Sequence, residues 1–245
     1  MFQYFQKIRD LITTVNDEEH ENIRKAIRAI VDANVEKSSI YIFGASHAGI
    51  LSEEMYYRAG GMITINAIFA REVMLDRKPI TFTSTMERLE GYGTAIASTV
   101  AFRHGDILIL HSVSGRNPII IDMALAAKSK GVKIIALTNL AYSRSVSSRH
   151  SSGKRLFELA DIVIDNHGDI GDAACDVPGT EQRVGPTSTV IGAAILDTIV
   201  VEASRMISQQ AASKVPVFYS ANLEGGDEKN KELVEEFQDM IHYEF

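Results

Sequence analysis

Asp106-Ile-Leu-Ile-Leu-His-Ser-Val-Ser-Gly-Arg-Asn-Pro118 is the stretch whose reading decides the fold. Residues 106–111 carry an unbroken apolar run of strand length, the pattern of a strand covered on both faces. Two hydroxyls and a glycine then break the run. Asn117 is expected to cap a helix with its side chain. Pro118 opens that helix at the position where a missing N–H costs nothing. Strand, hydroxyl-rich turn and helix N-terminus bring side-chain hydroxyls and unpaired backbone N–H groups to one point, which makes an anion cradle. A phosphate is the expected occupant.

The same grammar extends outward. Phe2 to about Asn34 has apolar residues at helical spacing, with Asn16 and Asp17 as a break or fresh cap. Ile40-Tyr-Ile-Phe43 reads as a strand, Gly44–Gly49 as a turn, and the helix after it runs to about Ala59, where Gly60-Gly61 closes it. Met62–Phe69 reads as a strand, residues 71–93 as loops with a short helix, and residues 94–103 as a helix. Beyond Pro118, a helix to Lys130, strands at 133–138 and 160–165, and a long apolar helix over 186–210 follow, with Val215–Tyr219 briefly extended. The charged end closes in an amphipathic helix carrying Leu233, Val234, Phe237 and Ile241. Strands of near-continuous Ile, Leu and Val alternating with helices define an α/β three-layer sandwich around a parallel sheet. Ligands of such sheets sit beyond the carboxyl ends of the strands, where the loops at 44–49 and 112–117 both lie.

With 245 residues, 45% of them hydrophobic and 23% charged, the chain is expected to form one globular domain with appendages. A net charge of -7 argues against a nucleic-acid partner, which calls for a basic face. The single Cys175 excludes an internal disulfide framework and fits a reducing compartment. The first residues lack the apolar core of a signal peptide, and no stretch reaches the roughly 18 apolar residues of a membrane span. The expectation is a cytoplasmic protein with no membrane partner.

Gly44-Ala-Ser-His-Ala-Gly49 follows a strand and opens a helix, but Ser46 stands where a dinucleotide fingerprint needs its second glycine. The next strand also lacks the acidic residue that binds a ribose. Ser46 reads instead as a hydroxyl donor at the helix start, or as a plain cap. In the second loop Ser112 and Ser114 flank Val113, Gly115 lets the backbone approach a ligand, and Arg116 adds charge or is simply solvated. Thr187 and Ser188, in Gly185-Pro-Thr-Ser-Thr189, are expected as exposed hydroxyls that either cap the late helix or reach the same ligand. Asp165–Asp172 is rich in ligand atoms, but Ile170 stands where a calcium loop needs its turn glycine, and no paired Cys/His spacing suits zinc. It reads as a polar loop. Neither a metal nor a nicotinamide cofactor is implied.

Three stretches carry a family resemblance: Ile40-Tyr-Ile-Phe-Gly-Ala-Ser46, the Ser112–Pro118 loop with its helix, and Gly131-Val-Lys-Ile-Ile-Ala-Leu-Thr-Asn139. With the helix from Pro186 they resemble the sugar isomerase (SIS) domain family over roughly residues 36–210, closest to its stand-alone branch labelled phosphoheptose isomerase-like. The resemblance implies a flavodoxin-like five-stranded parallel sheet and a sugar phosphate as ligand. It divides the chain into N-terminal helices over 1–35, the SIS domain over 36–210 and a C-terminal extension over 211–245. By position it assigns the phosphate to Ser46, Ser112 and Ser114, with Asn117 standing where a serine or threonine is common. It also implies a homodimer or homotetramer whose subunits complete one another's sites.

An aldose–ketose isomerase moves a proton between adjacent carbons and needs a positioned carboxylate or imidazole. Glu54 and Glu90 are the best candidates, weighed beside their neighbours Glu53 and Glu87, with His47 within reach of the ligand. His111, at the end of the central strand, reads as a satisfied core residue. An isomerase of this family also uses a late-helix histidine, and residues 186–210 contain none. The function read here is therefore a phosphosugar-binding protein, an isomerase or a related enzyme. The alternative is a non-catalytic sensor of a sugar phosphate that regulates a partner.

Overall fold

The computed structural model describes residues 1–210 and 214–244; residues 211–213, where the C-terminal extension was expected to begin, and residue 245 lie outside the described residues. Two helices lead, α1 (Gln3–Glu18) and α2 (His20–Glu36), broken close to the Asn16-Asp17 signal. Strand β1 (Ile40–Gly44) follows, then a single 3₁₀ turn at 46–49 and the short α3 (Ile50–Glu54). After β2 (Ile65–Ala67) come α4 (Thr81–Glu87) and α5 (Tyr92–Ser98), then β3 (Ile107–His111) and α6 (Pro118–Ser129). The second half holds β4 (Lys133–Thr138), α7 (Leu140–Ser145), β5 (Ile162–Asp165), a hairpin of β6 (Ala173–Cys175) and β7 (Val184–Pro186), α8 (Ser188–Ser208) and α9 (Gly226–Phe237).

The five strands β1 to β5 form one parallel sheet in the order β2-β1-β3-β4-β5, the flavodoxin-like arrangement. Period-two alternation divides their side chains between two layers. Ile40, Ile42, Ile107, Ile109, Ile135 and Leu137 pack on α1, α2 and α8, while Tyr41, Phe43, Leu108, Leu110, Ile134 and Ala136 pack on the α5 and α6 side. Close helix contact is built in at Gly93, where a Cβ would stand 2.1 Å from the Ile119 carbonyl oxygen of α6. The C-terminal segment folds back onto the edge of the sheet: Leu233 joins Ile63 and Phe218 in a small cluster, with Val234, Phe237 and Ile241 against it.

Two boundaries differ from expectation. The helix expected to reach Ala59 stops at Glu54, because Tyr56 and Tyr57 turn into an aromatic group with Phe69, Phe218 and Tyr243. The strand expected over 62–69 is confined to Ile65–Ala67, with a last bond to β1 from the Ile68 N–H to the Ile42 carbonyl at 2.9 Å; ahead of it the Ile63 N–H donates to the Pro216 carbonyl at 2.8 Å.

Candidate functional site

The strand order reverses between β1 and β3, so the loops that leave these strands diverge and open a crevice at the carboxyl edge of the sheet. The turn after β1 folds tightly onto the strand: a Cβ on Gly44 would lie 2.4 Å from the Ala48 carbonyl oxygen. Ser46, in the left-handed region at φ 52, points its hydroxyl at Glu87 Oε1, to which it donates. Glu87 ends α4, and its other carboxylate oxygen accepts from Asn117 Nδ2 at 2.7 Å. One carboxylate thus bridges the two loops singled out in the sequence.

Asn117 precedes α6 in extended backbone, and Pro118 takes the first helical position as expected, but the expected side-chain cap is not made. The Asn117 amide faces outward instead, accepting from Arg149 Nη1 at 2.9 Å while donating to Glu87. The first turn of α6 is left without a side-chain cap. Gly115 has a φ of +58, which suits glycine, and its missing Cβ makes room for Leu156 and Ser143, each about 3.1 Å away. Its N–H donates to Ser112 Oγ at 3.2 Å, closing a turn through that hydroxyl. Ser114 is half-buried between them.

Thr187 and Ser188 were expected as exposed hydroxyls; they are 0% and 5% exposed. Asp172 accounts for both. Its Oδ1 accepts from the Thr187 and Ser188 N–H groups at 3.1 and 2.9 Å, and Oδ2 accepts from Ser188 Oγ at 2.6 Å. An internal carboxylate therefore fills the anion position at the start of α8. The polar loop before it is used up in the same way. Asp165 accepts from the Leu140 and His167 N–H groups, and Asp169 pairs with Lys7 at 2.8 Å and Arg183 at 3.3 Å. Among the described residues, no group of three or more His, Cys, Asp or Glu could hold a metal ion.

The carboxylates chosen from the sequence are engaged in contacts of their own. Glu54 pairs with Arg58 one turn along. Glu90 accepts from the Ser151 hydroxyl and N–H, contacts that hold its carboxyl below the usual range. His47 is exposed on the 3₁₀ turn. Glu53, by contrast, lines a small cleft with Ser46, Gly49, Ser52 and Phe69. His111 is buried, 1% exposed, and its Nδ1 lies 3.0 Å from the Ala48 carbonyl oxygen. Since a carbonyl can only accept, Nδ1 carries the proton, and Nε2 is a buried lone pair with no partner. Burial holds this imidazole below its ordinary pKa.

The sheet order agrees with the comparisons: the chain belongs to the SIS domain family, whose profile matches residues 3–139. It is 52% identical over 243 residues to a UPF0309 protein of Shouchella clausii, covering 98% of each chain, and 47% identical to one of Oceanobacillus iheyensis, covering 99% of this chain and 98% of that one. Its fold is similar to that of a phosphoheptose isomerase from Francisella tularensis, with 15% identity and a TM-score of 0.54 over 82% of this chain and 95% of that one. A phosphoheptose isomerase from Neisseria gonorrhoeae aligns with a TM-score of 0.50 and 15% identity, over 83% of this chain and 95% of that one. Among the described residues, no helix is long and apolar enough to cross a membrane.

Proposed function

We propose that this chain binds a sugar phosphate and isomerises it between aldose and ketose. Ser112, Ser114 and the uncapped first turn of α6 take the phosphate, and Glu87 carries the proton between adjacent carbons. The observation that supports this reading is the Glu87 carboxylate itself. It is presented at the switch point by Ser46 and Asn117, whose bonds orient it, and no cation pairs with it among the described residues. A base positioned by hydrogen bonds beside an anion cradle is what proton transfer next to a carbonyl needs. Glu87 takes the role that the sequence suggested for Glu54 or Glu90, both engaged elsewhere.

The reading includes a cytoplasmic location, consistent with the free buried thiol of Cys175. It also includes self-association as a dimer or tetramer. A groove between α1, α2 and α8 runs from Ile12 past Ile23 and Thr198 to Met206, and Val190 and Val201 of α8 are exposed. A second copy covering this face would remove apolar surface from water.

A thermal-shift series of hexose, hexosamine and heptose phosphates tests the binding step; stabilisation is expected, weakened by Ser114→Ala. No response to any of them rejects the reading. Solvent deuterium should then enter a carbon-bound position of the best binder, about 10²–10⁴-fold more slowly in Glu87→Gln. Binding without exchange in the wild type leaves the non-catalytic sensor.

A further inference from the structure

The rim of this crevice carries three arginines with no ion pair. Arg88 follows Glu87 at the end of α4, Arg116 stands inside the 112–117 loop, and Arg149 reaches that loop from residues 147–153. None has a carboxylate within ion-pair distance among the described residues. The nearby Glu87 carboxylate is held by Ser46 and Asn117 instead.

Arg116 and Arg88 both lie close enough to act on Arg149. The Arg149 guanidinium is held below its ordinary pKa first by burial, then by the like charges of Arg116 and Arg88, with Glu87 and Tyr142 working the other way. Backbone fixes the arrangement, because the Arg149 N–H donates to the Arg116 carbonyl at 2.9 Å. Arg116 is the least satisfied of the three. Its Nε is buried without a partner, and its Nη2 reaches Ser147 Oγ only at 3.5 Å. In a chain of net charge -7, such a concentration of positive charge with an unused donor calls for an anion that the chain does not supply.

We propose that Arg88, Arg116 and Arg149 form a second anion subsite, so that the ligand is a sugar phosphate carrying a further anionic group, a carboxylate or a second phosphate. This rests on the sugar-phosphate reading above. The hydroxyl cradle of Ser112 and Ser114 takes the first phosphate, and planar guanidinium groups suit the bidentate recognition of the other group. The site is thereby selective for sugar phosphates with a second anionic group over neutral-tailed ones.

Calorimetric titration of the full chain with glucose 6-phosphate, 6-phosphogluconate and fructose 1,6-bisphosphate tests this. At least one of the doubly anionic probes should bind about tenfold or more tightly than glucose 6-phosphate, with an advantage that fades as salt rises. The double variant Arg116→Met/Arg149→Met should erase that advantage, costing the probes with a second anionic group at least about tenfold more affinity than it costs glucose 6-phosphate. Arg88→Gln, at an exposed helix end, should reduce the advantage without any risk to folding. Equal affinity for all three probes in the wild type overturns the second subsite and leaves the sugar-phosphate reading standing. An equal loss for all three in the variants overturns it too, by assigning the arginines to the single phosphate. No binding of any probe, together with a flat thermal-shift series, rejects the sugar-phosphate reading and this inference with it.

Discussion

Replacing Asp172 by alanine removes the cap of the longest helix in the structure. Four bonds disappear at once: two from the backbone N–H groups of Thr187 and Ser188 at 3.1 and 2.9 Å, one from the Ser188 hydroxyl at 2.6 Å and a long one from the Thr187 hydroxyl at 3.5 Å. Loss of a helix cap costs about 0.5–2 kcal/mol, and loss of a partly buried charge at a helix N-terminus about 0.3–2 kcal/mol. The Ser188 hydroxyl, buried and now unpaired, adds about 1–3 kcal/mol. These contributions overlap, so their combined effect is about 3 kcal/mol rather than their sum. Asp172 also has a φ of 70, a left-handed conformation that asparagine tolerates and alanine resists. Asp172→Asn keeps Oδ1 as the acceptor for both N–H groups; it loses the charge, and its Nδ2 must donate to the Ser188 hydroxyl where Oδ2 accepted from it, a cost of about 1 kcal/mol. For a chain of this length the alanine variant should melt roughly 6–12 °C below the wild type and the asparagine variant roughly 2–4 °C below it. Thermal melting followed by circular dichroism reads both, and inorganic phosphate should restore part of the loss in Asp172→Ala by entering the vacated anion position. A shift under about 3 °C for alanine, or an equal shift for the two variants, would refute the capping argument.

Three further outcomes are expected. Gly93→Ala should destabilise by about 1–3 kcal/mol or prevent folding, because the added Cβ meets backbone of α6; an unchanged urea midpoint would show that α5 can move away. His111 makes stability depend on pH. Burial depresses its folded pKa, so the unfolded chain takes up a proton first as the pH falls below about 6.5. Stability from this group is complete above that value and is lost toward lower pH, by up to about 1.4 kcal/mol per pH unit. His111→Gln should show a shallower acid slope in denaturant titrations; equal slopes would assign the sensitivity to other groups. Val201→Asp, on the exposed face of α8, should lower the mass measured by light scattering to that of a single chain, and an unaltered mass would place any association elsewhere.

The sheet was legible in the sequence because its strands are covered on both faces. The apolar runs at 107–111 and 133–138 have no polar break to blur their limits, and Pro118 and the Gly131 φ of 77 mark the two ends of α6. The polar contacts of the site were not legible in the same way. Asn117 sits in a capping context, but its side chain is claimed by Glu87, 30 residues earlier, and Arg149, 32 residues later. Thr187 and Ser188 stand beside a carboxylate 15 and 16 residues upstream. Local patterns announce a helix start; they do not say which distant side chain satisfies it. Glu87 was visible as a carboxylate before the central strand, yet its sequence neighbours look like those of Glu90. Packing of α4 across the switch point separates the two.

The short β2 has a bearing on how this protein behaves when crowded. An outer strand of a parallel sheet offers unpaired N–H and C=O groups to any extended chain that meets it. Here that strand has three residues, and residues 60–63 just before it are already paired with Pro216, Val217 and Phe218. Asn66, at its centre, donates to the Ile40, Thr64 and Met240 carbonyls and accepts from the His242 N–H, stitching the C-terminal segment beside it. The segment after α8 therefore works as a guard against edge-to-edge aggregation: a chain shortened before Val215 would fold its sheet with a sticky margin.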